Sequence, residues 1–225
     1  MKISVIIPTL NEARHIERAI RQVRVCGDCE IVVVDGGSTD GTLERATQAD
    51  VAIAGPQGRA LQQNCGAASS HGDILLFLHA DCELQPGCLE AIETGLQNPR
   101  VVGGCFYQRI HAQGILYRSL EWGNAIRVRL AGWAYGDQGI FVRRCIFERL
   151  GGFPELPLME DLYFSKRLKR EGLLRLLRDP PLRVSARRWQ QNGVLRQTVR
   201  NWFLIGLTAL GVSPSRLVRM YPHVR

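Results

Sequence analysis

The chain has 225 residues, of which 45% are hydrophobic and 22% charged, a composition that excludes disordered and fibrous proteins and suits one large domain. Its net charge of +8 is uneven, because residues 1–110 hold 9 Arg and Lys against 13 Asp and Glu, whereas residues 111–225 hold 20 against 8. A basic half beside an acidic half indicates an anionic partner such as a nucleotide, a phospholipid or a nucleic acid.

The N-terminus has a single lysine and then a strand-like run that contains Pro8, a pattern unlike a secretory signal. No run of residues approaches the ~20 apolar residues that a membrane-spanning helix needs. These features predict a cytoplasmic protein. The seven cysteines are then expected to be reduced, and the pair Cys26 and Cys29 is interpreted as structural, because it follows a predicted helix instead of opening one.

Strands and helices alternate through the first hundred residues. Short β-branched or apolar runs predict buried strands, and apolar residues at helical spacing predict the helices between them. The predicted strands cover residues 3–9, 30–35, 51–54, 74–81 and 101–110, and the predicted helices begin near residues 16, 42, 59 and 86. This alternation predicts an α/β fold with a mostly parallel sheet that helices cover on both faces.

After residue 114 the pattern is looser. A helical segment reaches about Leu130, the turn GDQG precedes a strand-like run at 140–144, and a helix covers 160–170. The last segment, 194–210, has an apolar face opposite two arginines, so it suits a membrane interface, packing on the domain or a dimer contact. Its apolar residues are Leu195, Val199, Trp202, Phe203, Leu207 and Leu210.

Polar or acidic residues follow three of the predicted strands. Thr9 and Glu12 follow the first strand, and Asp35 follows the second. His79 and Asp81 stand at the end of the fourth. Ligands of an open parallel sheet bind beyond the carboxyl ends of its strands, so these groups are expected at one edge. Turn chemistry is not expected to explain Asp35 and Asp81, whereas a metal or nucleotide site explains both.

The common nucleotide-binding signatures are missing from the sequence. No G-x-G-x-x-G follows the first strand and no G-x-x-x-x-G-K-[ST] occurs, which counts against a Rossmann dehydrogenase and a P-loop NTPase. An acid at a strand end can instead accept hydrogen bonds from a base or ribose. A second acid can hold a divalent cation that neutralises a diphosphate.

Five segments carry a resemblance to a known family. In order they are VIIPTLNE at 5–12, VVVDGGSTDGT at 32–42, GRALQQNCGA at 58–67, LFLHAD at 76–81 and PLMEDLYFSKRLKR at 157–170. Together they resemble the inverting, nucleotide-sugar-dependent glycosyltransferases of family 2, which have the GT-A fold. The short form with HAD, GDQG and SARRW is similar to the subgroup labelled radical-SAM/selenodomain-associated transferase 2.

The resemblance implies a fold, a domain organisation and an activity. Residues 1–190 would form the GT-A domain, with a nucleotide-sugar half at 1–110 and an acceptor half at 111–190, and residues 191–225 a C-terminal helical extension. The implied reaction is a metal-dependent, inverting transfer of a sugar from a UDP- or GDP-type sugar nucleotide to an unidentified hydroxyl acceptor. Lipid-linked acceptors are among the candidates.

The resemblance also assigns roles in donor binding. Pro8, Thr9 and Glu12 would frame the nucleotide base. Asp35 would accept hydrogen bonds from the base or ribose. Arg59 would face the base or a phosphate, although a solvated arginine at a helix start is the plain alternative.

The metal motif of the family is altered in this chain. His79, Ala80 and Asp81 match the family's D-x-D motif, and Asp81 would bind Mg²⁺ or Mn²⁺ that bridges the diphosphate. His79 replaces the first aspartate of the motif. Its imidazole can ligate Mn²⁺, donate to a phosphate oxygen or simply fill space.

Two acids match the catalytic motif of the family. Asp161 would be the general base and Glu160 would orient the acceptor or the base. Both begin a predicted helix, whose dipole favours ionised carboxylates, so ordinary helix capping is the structural alternative.

Four further residues are weaker candidates for contacts with the sugar or acceptor. Asp137 and Gln138 lie in GDQG, for which a plain turn is an equal alternative. Arg188 and Trp189 resemble the arginine–tryptophan end of a motif in processive relatives. Ser185 replaces the leading glutamine of that motif, and Trp189 is equally suited to the core.

Two other functions compete with sugar transfer. A nucleotidyltransferase that makes sugar nucleotides usually has a basic, glycine-rich loop after the first strand, which this chain lacks. A non-catalytic homologue that binds nucleotides or anions is the other alternative. Nucleic-acid binding is not expected, because the arginines of the basic half lack interleaved aromatic residues.

Overall fold

Eight strands and eight helices make up the part of the chain that the computed structural model describes, which is residues 1–209, 212 and 217. The strands are β1 Ile3–Thr9, β2 Glu30–Asp35, β3 Val51–Ala54, β4 Ile74–Phe77, β5 Cys82–Glu83, β6 Val101–Ile110, β7 Ile140–Arg143 and β8 Leu173–Val184. The helices are α1 Ile16–Val25, α2 Arg59–Ala68, α3 Cys88–Gly95, α4 Ile115–Ala131, α5 Arg144–Arg149, α6 Glu160–Glu171, α7 Arg187–Asn192 and α8 Val194–Ala209. A short 3₁₀ turn covers Gly136–Gln138.

The strands form one mixed sheet in the order β3-β2-β1-β4-β7-β6-β8-β5. β1 pairs in parallel with β2 and β4, and β8 pairs in parallel with β6, whereas β7 is antiparallel to both of its neighbours. The carboxyl ends of β1, β2 and β4 therefore meet at one edge, as the sequence predicted.

Two hydrophobic clusters lie on the two faces of this sheet. Alternate residues of β1 face opposite sides, so Val5 and Ile7 pack with α1 in one cluster while Ile6 packs with α2 in the other. The second cluster also includes Phe164 of α6. Strands buried on both faces explain the continuous apolar runs in the sequence, and the predicted helix-covered sheet is confirmed.

Two predictions about local structure are wrong, and two strands, β5 and β8, were not predicted. Residues 42–50 form turns instead of a helix, because Asp40 accepts hydrogen bonds from the backbone N–H and hydroxyl of Thr42 and from the backbone N–H of Ala13. The strand predicted at 74–81 ends at Phe77. β8 was not predicted, because its Asp-Pro-Pro sequence is typical of a turn; the prolines lie at an irregularity in its pairing with β6.

The cysteine pair has the predicted structural character. Cys26 and Cys29 are free thiols, and both are buried. Burial raises the pKa of Cys26 to about 12 and that of Cys29 to about 11. Both thiols are therefore protonated and unreactive at neutral pH.

The C-terminal helix α8 exposes large apolar side chains, among them Val199, Trp202 and Phe203. Leu210 and the side chains of Arg188 and Leu195, which the sequence analysis singled out, lie outside the described residues. Within the described part of the chain, no helix combines the length and apolar character needed to cross a membrane.

Glu30 makes the fold sensitive to acid. Burial by itself would raise its pKa, but hydrogen bonds from the His71 backbone N–H at 2.7 Å and the Ser4 hydroxyl at 2.5 Å, with the His71 ring at 2.9 Å, lower it to about 2. Because the folded pKa lies below the ordinary value of 4.5, this stabilisation is complete above pH 4.5 and lost as the pH falls toward 2.

We therefore expect Glu30→Gln to lower the free energy of unfolding by about 1–3 kcal/mol at pH 7 and by less near pH 3. Urea unfolding at the two pH values measures the difference. An equal loss of unfolding free energy at pH 7 and near pH 3 would contradict this role of the ionised Glu30. Glu90→Gln, at an exposed position, is the control.

Candidate active site

Asp35 anchors the loop at the end of β2. Its Oδ2 accepts hydrogen bonds from the backbone N–H groups of Gly37 at 3.1 Å and Ser38 at 2.8 Å. Its Oδ1 accepts from the hydroxyls of Thr9 at 3.2 Å and Ser38 at 2.5 Å. Turn chemistry therefore does explain Asp35, contrary to the expectation from the sequence. These contacts also fix the carboxylate at the edge where β1 and β2 end.

Two amide side chains join the loops at this edge. Asn11, which has a positive φ of 55°, bridges the loops after β1 and β2. Its backbone N–H donates to the Ser38 hydroxyl at 2.7 Å, and its side-chain Oδ1 accepts from the Thr39 backbone N–H at 3.0 Å. Gln62 of α2 donates from Nε2 to the carbonyl oxygens of Thr9 at 2.7 Å and Val34 at 2.9 Å. Gln62 was missed by the sequence analysis, although a buried glutamine on the sheet-facing side of a helix is a usable signal.

The other residues proposed for base recognition lie at the same edge. Pro8 is half-buried in β1, and the backbone N–H of Glu12 donates to the Thr42 hydroxyl at 2.8 Å. The carboxylate of Glu12 lies 3.9 Å from Nδ1 of His15. The structure thus brings Pro8, Thr9, Glu12 and Asp35 together as predicted.

Three side chains in the loop after β4 form a group that can hold a metal ion. The ligand atoms of His79, Asp81 and Cys82 lie within 4.8 Å of one another, and no other such group of three occurs in the described part of the chain. Ala80 between them is buried. One carboxylate with an imidazole fits Mn²⁺, whereas Mg²⁺ prefers a set of oxygen ligands. The thiol of Cys82 was not singled out from the sequence.

Two buried acids begin α6. The carboxylate of Asp161 accepts hydrogen bonds from the backbone N–H groups of Gly136 and Leu162, each at 2.7 Å. Glu160 is only 2% exposed, and burial raises its pKa. The charge of Asp161 raises this pKa further, while Arg59, 3.3 Å away, opposes the rise. The preceding residue, Met159, has a φ of 65°, a strained conformation that starts the helix at this point.

Gly136 brings the metal-binding loop and the acid pair to one place. A Cβ atom at Gly136 would lie 2.7 Å from Nε2 of His79 and 3.5 Å from Oδ2 of Asp161. Any larger residue would therefore force these groups apart. A glycine is required here for close approach, and not for an unusual backbone angle.

Among the four weaker candidates, Gln138 and Trp189 have structural contacts, whereas the side chain of Arg188 lies outside the described residues. Gln138 is fully buried, and its Oε1 accepts hydrogen bonds from Arg127 at 2.8 Å and from the Tyr135 backbone N–H at 3.0 Å, which favours the plain-turn alternative. Asp137 is half-buried, and its carbonyl oxygen lies 3.8 Å from the Cys82 thiol. Trp189 packs partly buried against the core.

Arg59 is expected to offset the cost of burying Glu160. In Arg59→Gln the pKa of Glu160 rises further, so its ionisation opposes folding more strongly. Because the pKa of Glu160 in the folded chain lies above 4.5, the loss of unfolding free energy in this variant is small below pH 4.5 and grows as the pH rises. We expect a deficit of about 1–3 kcal/mol at pH 8 and less at pH 5, measured by urea unfolding. Equal deficits at both pH values would contradict this coupling, and Arg45→Gln is the exposed control.

Solved structures share the fold. The fragment 1–349 of S. aureus TarS, solved with UDP-GlcNAc, superposes with a TM-score of 0.66 at 18% identity over 82% of this chain and 58% of the fragment. Glucosyl-3-phosphoglycerate synthase of Mycobacterium tuberculosis, solved with Mn²⁺ and UDP-glucose, gives a TM-score of 0.54 at 20% identity over 79% of this chain and 68% of the other. The predicted α/β, GT-A-type fold is confirmed.

The sequence identifies the family more directly. The glycosyl transferase family 2 model matches residues 4–149, and the chain belongs to this family. Its membership of the radical-SAM-associated subgroup stays a prediction.

Curated relatives agree with this family. An uncharacterized glycosyltransferase of Nostoc sp. is 38% identical over 113 residues, which are 46% of this chain and 35% of the relative. AglE of Haloferax volcanii is 29% identical over 76% of this chain and 62% of its own length. A PGL/p-HBAD biosynthesis glycosyltransferase of Mycobacterium bovis is 30% identical over 67% of this chain and 62% of its own length. The chain thus spans less than two thirds of each of these relatives.

Proposed function

We propose that this protein transfers a sugar from a nucleoside diphosphate sugar to a hydroxyl acceptor, with inversion at the anomeric carbon and with a divalent cation. The observation that supports this most is the position of Gly136, which places His79 of the metal-binding loop beside the buried carboxylate of Asp161. UDP is the first nucleotide to test, because TarS and glucosyl-3-phosphoglycerate synthase were solved with UDP-sugars.

The donor would bind along the edge formed by β1, β2 and β4. The loop that Asp35 and Asn11 hold in place would carry the base and ribose. The diphosphate would then lie at the loop that contains His79, Asp81 and Cys82, and these three residues would hold the cation. A divalent cation at this point neutralises the negative charge that develops on the leaving diphosphate.

Asp161 is the proposed general base. Its carboxylate takes the proton of the acceptor hydroxyl while the acceptor oxygen bonds to the anomeric carbon and the bond to the diphosphate breaks. Hydrogen bonds from the backbone N–H groups of Gly136 and Leu162 fix the position of this carboxylate. Glu160, paired with Arg59, is a positioning residue that holds the start of α6 in place.

We also propose a division of the chain into functional parts. Residues 1–110 supply the donor edge, residues 111–190 supply Asp161 and the acceptor side, and residues 191–225 extend the domain. Peripheral contact of α8 with a membrane or with a second copy stays a prediction that rests on the exposed Val199, Trp202 and Phe203.

Calorimetric titration of the purified chain with UDP and GDP, each with Mn²⁺, Mg²⁺ or EDTA, tests the proposal. We expect UDP to bind in the presence of Mn²⁺ and to bind at least tenfold more weakly in EDTA. Release of UDP from a UDP-sugar on addition of an acceptor would then establish transfer, whereas release of pyrophosphate from a nucleoside triphosphate would indicate a nucleotidyltransferase. Absence of binding by either nucleotide under all conditions would contradict the proposed function.

A further inference from the structure

A cleft of about 280 Å³ opens beside the metal-binding loop. Asp81 and Cys82 form one wall of it. Four arginines line the rest, one from the turn before α1, one from α1, one from the end of β8 and one from the start of α7: Arg14, Arg18, Arg183 and Arg187. The cleft therefore combines a metal-binding carboxylate with an unusual density of positive charge.

Most of this positive charge is not balanced by protein carboxylates. Arg18 pairs with Glu83 at 2.5 Å. Among the described residues, Arg14, Arg183 and Arg187 have no carboxylate within ion-pair distance. His15 and His111 also line the cleft, and Asp81 is the one other acid there. Like charges held together in this way repel one another unless an anion lies between them.

Strand pairing fixes Arg183 beside the metal-binding loop. β5 pairs in antiparallel register with the end of β8, so Cys82 lies opposite Val184 and Glu83 opposite Arg183. Backbone hydrogen bonds thus hold Cys82 beside the end of β8, the strand that carries Arg183. Of the four arginines, Arg183 lies in the sheet itself, Arg18 and Arg187 lie on helices α1 and α7, and Arg14 lies in the turn that precedes α1.

The cleft also lies away from the acid pair. The α1 helix packs on the cluster that contains Cys82 and Trp189, whereas α2 and α6 pack on the opposite face of the sheet. Arg59, Glu160 and Asp161 therefore do not line it. Of the residues described so far, only those of the metal-binding loop lie near both the arginine-lined cleft and the acid pair.

We propose that this cleft is a binding site for a phosphate group. Guanidinium groups form paired hydrogen bonds with phosphate oxygens, and three unpaired arginines suit a group with more than one negative charge. The phosphate has two sources, the diphosphate of the donor or a phosphate carried by the second substrate. The choice between them rests on the proposed function, whereas phosphate binding itself does not.

Titration of the full chain with inorganic phosphate and with pyrophosphate, followed by calorimetry without added metal, tests the proposal. The variant Arg14→Gln/Arg183→Gln removes two exposed guanidinium groups from the cleft. The control Arg21→Gln/Arg129→Gln removes the same charge from exposed positions outside it. We expect affinity for the anion to fall at least tenfold in the first variant and to change less than twofold in the control. Thermal unfolding of both variants verifies that they are folded.

Equal affinities of the variant and the control, or the absence of anion binding by the wild-type chain, would overturn the proposal. Where the site is present, a saturating amount of UDP with Mn²⁺ distinguishes the sources. Displacement of the anion by UDP assigns the cleft to the donor diphosphate, and simultaneous binding assigns it to a second, phosphate-bearing substrate. If UDP does not bind at all, the proposed function fails while the phosphate titration still reports on the cleft.

Discussion

Replacement of Asp161 by asparagine is expected to lower kcat for sugar transfer by about 10²- to 10⁴-fold, the range that a general base contributes. Asparagine has the shape of the carboxylate but cannot accept the acceptor proton. Because Asp161 would contact the acceptor and not the nucleotide, the dissociation constant of UDP should change by no more than about twofold. Steady-state release of UDP gives kcat, and calorimetry gives the dissociation constant.

Two controls accompany this variant. Asparagine can keep only one of the hydrogen bonds from the N–H groups of Gly136 and Leu162, so thermal unfolding must show that the loss of activity is not a loss of fold. Asp28→Asn removes an exposed carboxylate in the turn between α1 and β2 and should leave kcat unchanged. An Asp161→Asn variant with wild-type kcat would exclude Asp161 as the base.

Replacement of Asp81 by asparagine should abolish the metal-dependent stabilisation of the protein by UDP. A ligand at 100 times its dissociation constant stabilises the folded chain by about 2.7 kcal/mol, which for a chain of this size raises Tm by roughly 5–11 °C. Asp81→Asn removes the only carboxylate of the metal-binding group in the described chain, so most of the shift with UDP and Mn²⁺ should be lost.

The same measurement tests whether the Cys82 thiol contributes to the metal-binding group. Cys82→Ser replaces the thiol with a harder oxygen donor and should weaken the effect of Mn²⁺ relative to that of Mg²⁺. Asp28→Asn again serves as the exposed control. An Asp81→Asn protein that keeps the full shift with Mn²⁺ would contradict the assignment of the metal site.

The sequence located the edge of the sheet at which the candidate site lies. Buried strands leave continuous apolar runs, so the residues at their carboxyl ends were predictable from the hydrophobic pattern of the sequence. Thr9 and Asp35, which the structure pairs in register, were placed correctly by this means. The contact between Asp161 and Gly136 was not predictable, because Gly136 is distant in the chain and its closeness depends on how the 3₁₀ turn packs.

Local sequence patterns were misleading where side chains overrode them. The helix expected after Thr42 is replaced by turns, since Asp40 holds the loop to the start of α1 through side-chain hydrogen bonds. β8 contains two consecutive prolines, which are not expected inside a strand. An irregular register in the pairing of β8 with β6 accommodates them. The closeness of the Cys82 thiol to Asp81 and His79 depends on the turn that the chain makes after β4.

The position of β7 has a consequence for the synthesis of this protein. β7 fills the space between β4 and β6, although both of those strands precede it in the chain. A ribosome that has completed β4 at Phe77 must still make the segment up to Ile140 before that edge of β4 gains its partner. At usual elongation rates this takes roughly 3 to 13 seconds. For that interval the nascent chain carries an open apolar strand edge, a surface that can pair with other chains and aggregate.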